Sequence, residues 1–517
     1  PEPRPLDKNQ WSNPLQGRTV HPAFPTMPGG TMGSRAVKAA LLAFAALAVV
    51  ATAACAPLPK PLPPLVVNTT ANTFDGVCDA EDCSLLDAIH TANGRVNTNN
   101  LPNQIHLGEG TYVLDGDAPV EITRAVVING RGKALTTIDL TSSPITAPGA
   151  VLDTSAPTVI TDVRIESGAA TPTHVLASCA GHAPTAVSLI NVDTDNLAAV
   201  STACDAVFVS TKVSGPASAI TPNTISGTTS TLPFPDEPLV VRRFSFVGTR
   251  ITGPTLEDGT TADSNLTVHP PDGININGTI TASHLDRVGL SLGRPDATAE
   301  SGNVFASVAT SSIDLGGASP LRIVVPAGSS LNVNQSTIYG GGPDGAIHAD
   351  GTVLLRGATI ANAGPALVVG DGANVTARRS VLSAFSGPVC TAPINLLLRN
   401  VVVGDSCGTP SPTDVTVADH DALQLGAVGS NDSHTPTYSM APAPTSPVVD
   451  VIPPEGPAGI DCPYDPKVGS GTSLDQRGYL RPSGAGCDAG AVEYQYPAPD
   501  VPPPPGGGDG EGDGTAG

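Results

Sequence analysis

The chain has 517 residues, 56 of them glycine and 52 proline, with aromatic residues at 3% and a formal charge of −22. That length could hold several ordinary domains, but few aromatics beside many Val, Ile, Leu and Thr suit an elongated all-β body better than a globular enzyme built on aromatic bulk. The acidic balance excludes nucleic acid and anionic lipid surfaces as partners, because both need a positive footprint.

Residues 1–31 carry no periodic pattern and are expected to be untranslated or disordered, with Met32 as the start. Residues 32–54 have the layout of an export signal. Arg35 and Lys38 form a basic region, Ala39 to Val50 an apolar core too short for a confident membrane span, and Ala51-Thr52-Ala53 a small-residue cleavage site. Cys55 follows and would either carry a lipid or leave with the signal; Thr52 stands where bacterial lipoproteins usually place a branched aliphatic residue. Residues 55–67, with the run PLPKPLPP, form a stiff extended linker.

From Asn72 to Leu114 the hydrophobic period switches from 3.6 to 2. Ser84 and Asp87 form a capping-box pattern, so a short helix starts at Ser84. Leu85, Ala88, Ile89 and Ala92 fall on its apolar face, and Asn93-Gly94 supplies a left-handed stop. Ile105 and Leu107, then Tyr112 and Leu114, alternate as short half-buried strands around Gly-Glu-Gly. The stretch DGVCDAEDCSLLDAIHTAN resembles the CSLREA-type segment that opens many secreted bacterial β-helix proteins, although Leu86 and Asp87 stand in place of its Arg-Glu pair. SPVVDV at 446–451 and DQRGYLRPSGAGCDAGAVEY at 475–494 resemble the carboxy-terminal part of choice-of-anchor Q surface proteins. The resemblance implies a pectin-lyase-like right-handed parallel β-helix at the bacterial surface.

Internal repetition leads to the same fold. LNVNQSTI ends at Ile338, VLLRGATI at Ile360, VTARRSVL at Leu382 and LLRNVV at Val402, in steps of 22, 22 and 20 residues. Gly328, Gly351 and Gly372 punctuate the same units, and Ile165, Val192, Val213, Ile251 and Ile313 sit in similar frames. The fixed leucines of leucine-rich repeats and the forty-residue period of propellers are missing. Stacked coils remain, on the order of 14 of them over roughly 65 Å at about 4.8 Å each. The body is expected over 68–495, with an N-terminal cap at 72–94, a C-terminal cap at 446–495, and a large excursion at Pro216 to Pro238, whose prolines suit no central ladder. Residues 496–517 are expected to be a disordered acidic tail.

Setting Cys55 aside leaves eight cysteines in four neighbouring pairs: Cys78/Cys83, Cys179/Cys204, Cys390/Cys407 and Cys462/Cys487. Such pairing fits an oxidising compartment, with connectivity open. If the chain cleaves a polysaccharide, as a lyase or glycoside hydrolase, Asp193 and Asp195 are the candidate carboxylates, though turn chemistry is the favoured reading for both. Asp75, Asp79, Glu81 and Asp82 are the one acidic run where calcium could bind, and no other cofactor is expected. Gly181-His182-Ala183 only approximates a GHG turn, the histidines have no metal spacing, and Asp509, Glu511 and Asp513 begin a calcium loop that the chain does not complete. Arg477 and Arg481 are expected to bond carbonyls. The sequence-level conclusion is a monomeric, exported, surface-anchored scaffold for adhesion or glycan contact, whose partners would be an extracellular glycan or surface protein and, through a lipid on Cys55, the membrane.

Overall fold

The computed structural model describes residues 62–496 except 97–100, 147–148, 169–173, 183–184, 196, 198, 215–219, 222–223, 234–238, 242, 253–260, 271–273, 294–301, 318–319, 434 and 454–473. The export segment, Cys55, Cys462 and the acidic tail lie outside the described residues.

The chain winds as a right-handed parallel β-helix with three faces. The first and second sheets each hold 14 strands, the first running from Leu65–Val66 to Asn395–Leu398 and the second from Gly110–Val113 to Val415–Val417. The third face is divided into a ladder of five strands, Val120–Ile122 to Ile220–Thr221, and one of six, Leu239–Val241 to Leu367–Val369. Every ladder of these faces is parallel, so alternate side chains point into one continuous core.

A single left-handed residue turns the chain from the first sheet to the second: Ser210, Thr229, Gly248, Ala282, Thr310, Gln335, Gly357, Arg379 and Arg399 all have φ between 45° and 59°. The next residue points inward and is usually a hydroxyl. Thr211, Ser230, Thr249, Ser283, Ser311, Ser336 and Ser380 are buried there, with Asn400 closing the row. Their oxygens accept backbone N–H groups from the preceding coil: Thr211 to Ser230 at 3.2 Å, Thr249 to Ser283, Ser283 to Ser311 and Ser311 to Ser336 each at 3.1 Å. The same serines donate to the carbonyl two residues back, as Ser311 Oγ does to Ala309 at 2.7 Å. This ladder satisfies amides that a tight corner would otherwise bury unpaired.

Ile338, Ile360, Leu382 and Val402 stack in register in the second sheet, as the repeat requires. Upstream the frame differs from the sequence expectation. Ile165 and Val213 both pair with Thr194, so Val192 lies two residues out of the stack. The expected excursion at Pro216 to Pro238 is also corrected, because Thr224–Thr228 and Thr231–Pro233 form ordinary rungs. In the first sheet, Gly227 separates Phe208 from Phe246 in register, and a Cβ at Gly278 would overlap the Phe244 ring. Glycines therefore make room for the few interior aromatics.

The capping helix α1, Leu85–Gly94, starts at Ser84 with the capping box formed, and buries Leu85, Ala88, Ile89 and Ala92. Asp87, wholly buried, also accepts the N–H groups of Asp75 and Gly76 at 3.1 and 2.9 Å. The expected left-handed stop is absent: Arg95 caps the end in extended conformation, and its N–H bonds Thr91 and Ala92. Disulfides join Cys78–Cys83, Cys179–Cys204 and Cys390–Cys407, and Cys487 is also oxidised. These bonds mark an oxidising environment. No described helix is long and apolar enough to cross a membrane.

The carboxy-terminal residues run along the outer side of the second sheet. Tyr438 N–H bonds Ser312 Oγ at 2.9 Å, Thr337 bonds Gln476 at 2.5 Å, and Ala491 N–H bonds Thr359 Oγ1 at 2.9 Å. Arg477 pairs with Asp475 at 2.8 Å and Arg481 donates to the backbone carbonyls of Asp488 and Gly490 at 2.9 and 2.8 Å, all three side chains being buried.

Candidate functional site

The outward residues of the second sheet collect the charge. Asp193 and Asp195 sit on a strand rather than in a turn, which corrects the favoured sequence reading. Coil stacking brings basic partners that sequence proximity did not offer. Lys133 reaches Asp193 at 2.8 Å, and Arg164, opposite Asp193 in register, pairs with both Glu166 and Asp195. The pairs are partly solvated, and the carboxylates hold Arg164 more firmly charged than usual. Each acid is thus neutralised by a neighbour, a stabilising pattern of modest strength.

A second group lies further along the same sheet. Asp286, Asp314 and Tyr339 occupy one outward rank on three successive coils. Arg250 reaches Asp286 at 3.0 Å, while Arg287 pairs with Asp263. Asp314 accepts the Gly316 N–H at 2.8 Å, yet burial pushes its carboxyl up. Burial, and next the Asp314 charge, push the Tyr339 hydroxyl up as well. His284, on the adjacent rank, is wholly buried; burial lowers its pKa to about 4, against the pull of Asp286, so the ring is neutral. Its Nδ1 meets Ser312 Oγ at 2.8 Å and its ring stands edge-on to Tyr438, at 4.4 Å. Two stacked carboxylates in unequal settings can in principle divide acid and base roles. Sequence reasoning missed this group, although HLD and SID share a frame in which an aspartate follows the inward Leu285 or Ile313.

The acidic run beside the cap makes turns. Asp75 Oδ1 accepts the Val77 N–H at 2.8 Å, and Asp79 Oδ1 accepts those of Glu81 and Asp82 at 2.9 and 3.0 Å. These backbone bonds lower the Asp79 pKa, that of Asp82 most. Among the described residues no three His, Cys, Asp or Glu side chains are grouped to hold a metal. His182 lies 3.3 Å from Asp153 on the third face. A cavity of about 430 Å³ opens between α1 and residues 116–121, lined by Phe74, Leu86, Ile89 and His90 among others.

The outer face of the first sheet is different in kind. Its middle rank, in register, reads Gln104, Val127, Val159, Ser188, Val207, Ser226, Ser245, Thr279, Ser307, Asn332, Leu354, Thr376 and Asn395. None is charged. The rank beside it, from Asn129 through Thr161, Thr228, Thr281 and Asn334 to Arg378, holds no carboxylate either.

No family model matches the chain, and no curated protein matches it. Among solved structures the chain is similar to the catalytic domain of a GH87 α-1,3-glucanase in complex with tetrasaccharides, at 10% identity and a TM-score of 0.22 over 69% of this chain and 68% of that one. At that identity and score the likeness bears on neither site nor reaction.

Proposed function

We propose that this is an exported β-helix scaffold that contacts an extracellular glycan through the outer face of its first sheet, without cleaving it. The observation that supports the reading is the uncharged middle rank of Ser, Thr, Asn and small aliphatic side chains, repeated at about 4.8 Å along the sheet of a chain with charge −22. Hydroxyl and amide groups at that spacing can exchange hydrogen bonds with sugar hydroxyls, and the missing carboxylates remove the repulsion the rest of the surface would exert on acidic polymers. Lipidation at Cys55, a cell-envelope location and membership of the choice-of-anchor Q and CSLREA group are parts of the same proposal.

A second reading, a glycoside hydrolase, is favoured by one feature. Asp286 and Asp314 are stacked on adjacent coils, about 4.8 Å apart along the backbone, near the roughly 5–5.5 Å carboxyl separation of retaining enzymes. Arg250 pairs with Asp286 at 3.0 Å while burial favours the protonated form of Asp314, the unequal pair that a nucleophile and an acid require. One experiment separates the two. Protein from Cys55 onward is incubated with acidic and neutral polysaccharides, with and without calcium, and scored for retention on the polymer, reducing sugar and unsaturated uronate. Retention without release supports the scaffold. Release that Asp314→Asn abolishes overturns it in favour of hydrolysis, and neither retention nor release refutes the glycan reading.

A further inference from the structure

Within the largely neutral first sheet, two arginines stand directly over one another. Arg356 and Arg378 are paired in register on adjacent coils, the first exposed and the second half-buried. Like charges opposite each other in a ladder are destabilising. The chain has 47 acidic residues against 25 Lys and Arg; Arg164 and Arg250 on the second sheet, and Arg287 at the corner that follows it, each meet a carboxylate. Arg356 and Arg378 meet none among the described residues. Polar groups surround the pair: Asn334 precedes Arg356 in the same rank, Thr352 and Asn374 are paired in the outer rank, and Thr376 lies in the middle one.

We propose that Arg356 and Arg378 bind the anionic groups of an acidic polysaccharide, uronate or sulfate, laid along the helix axis across these coils. A guanidinium presents a planar fork that fits a carboxylate or sulfate bidentately. Two forks about 4.8 Å apart take successive anionic groups or clamp one, while Asn334, Asn374 and Thr376 meet the hydroxyls between them. The ligand's charge relieves the repulsion within the pair. The site rests on the reading that the first sheet is the contact face and assigns its ligand class and location.

The test measures binding of protein from Cys55 onward to polygalacturonate, dextran sulfate, neutral dextran and double-stranded DNA, at low and at physiological salt. The expected result is binding to polygalacturonate, dextran sulfate or both, which identifies carboxylate or sulfate as the recognised group, with DNA weaker by at least about tenfold. R356Q and R378Q each lose about tenfold or more, the worth of one charge-assisted contact. R356K keeps part of the affinity because it retains charge but not the fork. The thermal midpoint of the double variant R356Q/R378Q stays equal to or above that of the parent, since a repulsion has been removed; this excludes unfolding as the cause of lost binding. Binding to neutral dextran alone overturns the arginine site and leaves the contact-face reading standing. Equal binding to DNA, or acidic-glycan binding unchanged in the double variant, overturns the site as well. Binding to none of the polysaccharides overturns both.

Discussion

Ser311→Ala tests the hydroxyl ladder at a single atom. Ser311 is wholly buried, and its Oγ accepts the Ser283 N–H at 3.1 Å while donating to the Ala309 carbonyl at 2.7 Å. The carbonyl keeps a second partner, because Ala282 N–H also bonds it at 3.0 Å. The amide of Ser283 keeps none of its ladder bond. Alanine is nearly isosteric, so the cavity contribution is small and the cost is that of one buried amide left unpaired, about 1–3 kcal/mol. Hydrogen exchange at the Ser283 amide should then quicken about tenfold for each ~1.4 kcal/mol lost, and the urea midpoint should fall with the slope unchanged. Ser311→Thr should recover most of the loss, since Thr211 and Thr249 already occupy this position on other coils. Ser307→Ala, on the half-exposed middle rank of the first sheet's outer face, is the control. If Ser311→Ala costs no more than that control, the ladder is not a source of stability.

Gly278→Ala should cost about 1–3 kcal/mol by overpacking the Phe244 ring, and Phe244→Leu should restore part of it in denaturant titrations; a neutral Gly278→Ala would mean the ring moves freely. Asp195→Asn should cost less than about 1 kcal/mol, because its pair with Arg164 is partly solvated; a loss of several kcal/mol would show that the charge row is essential to the coils. The carboxy-terminal residues should loosen as pH rises. Burial, then the Glu493 charge, raises Asp488 to about 7, so the folded state keeps a proton that the unfolded chain releases near pH 4. That stabilisation is complete below about pH 4 and lost as pH approaches 7. Asp488→Asn should flatten the dependence in proteolysis of this region between pH 4.5 and 7.5, and identical wild-type and variant profiles would count against it.

The sequence by itself determined what depends on near neighbours. The helix at Ser84 follows from a hydroxyl and a carboxylate three residues apart, and the β-helix follows from inward aliphatics recurring in the coils around Ile338, Ile360 and Leu382. Cysteine order likewise anticipated three disulfides, since each joins adjacent coils or a short loop. Register was decided only in the folded molecule. Consecutive ladder positions are 19 residues apart from Thr211 to Ser230 but 34 from Thr249 to Ser283, because side loops differ in length. No fixed period could therefore place Thr194 rather than Val192 in the stack, or set Asp286 over Asp314 and Arg356 over Arg378. Lys133 and Asp193 are 60 residues apart in the chain and meet at 2.8 Å. Local periodicity gives each rung its inward and outward sides; which outward charges meet is fixed by how many residues each coil spends between rungs.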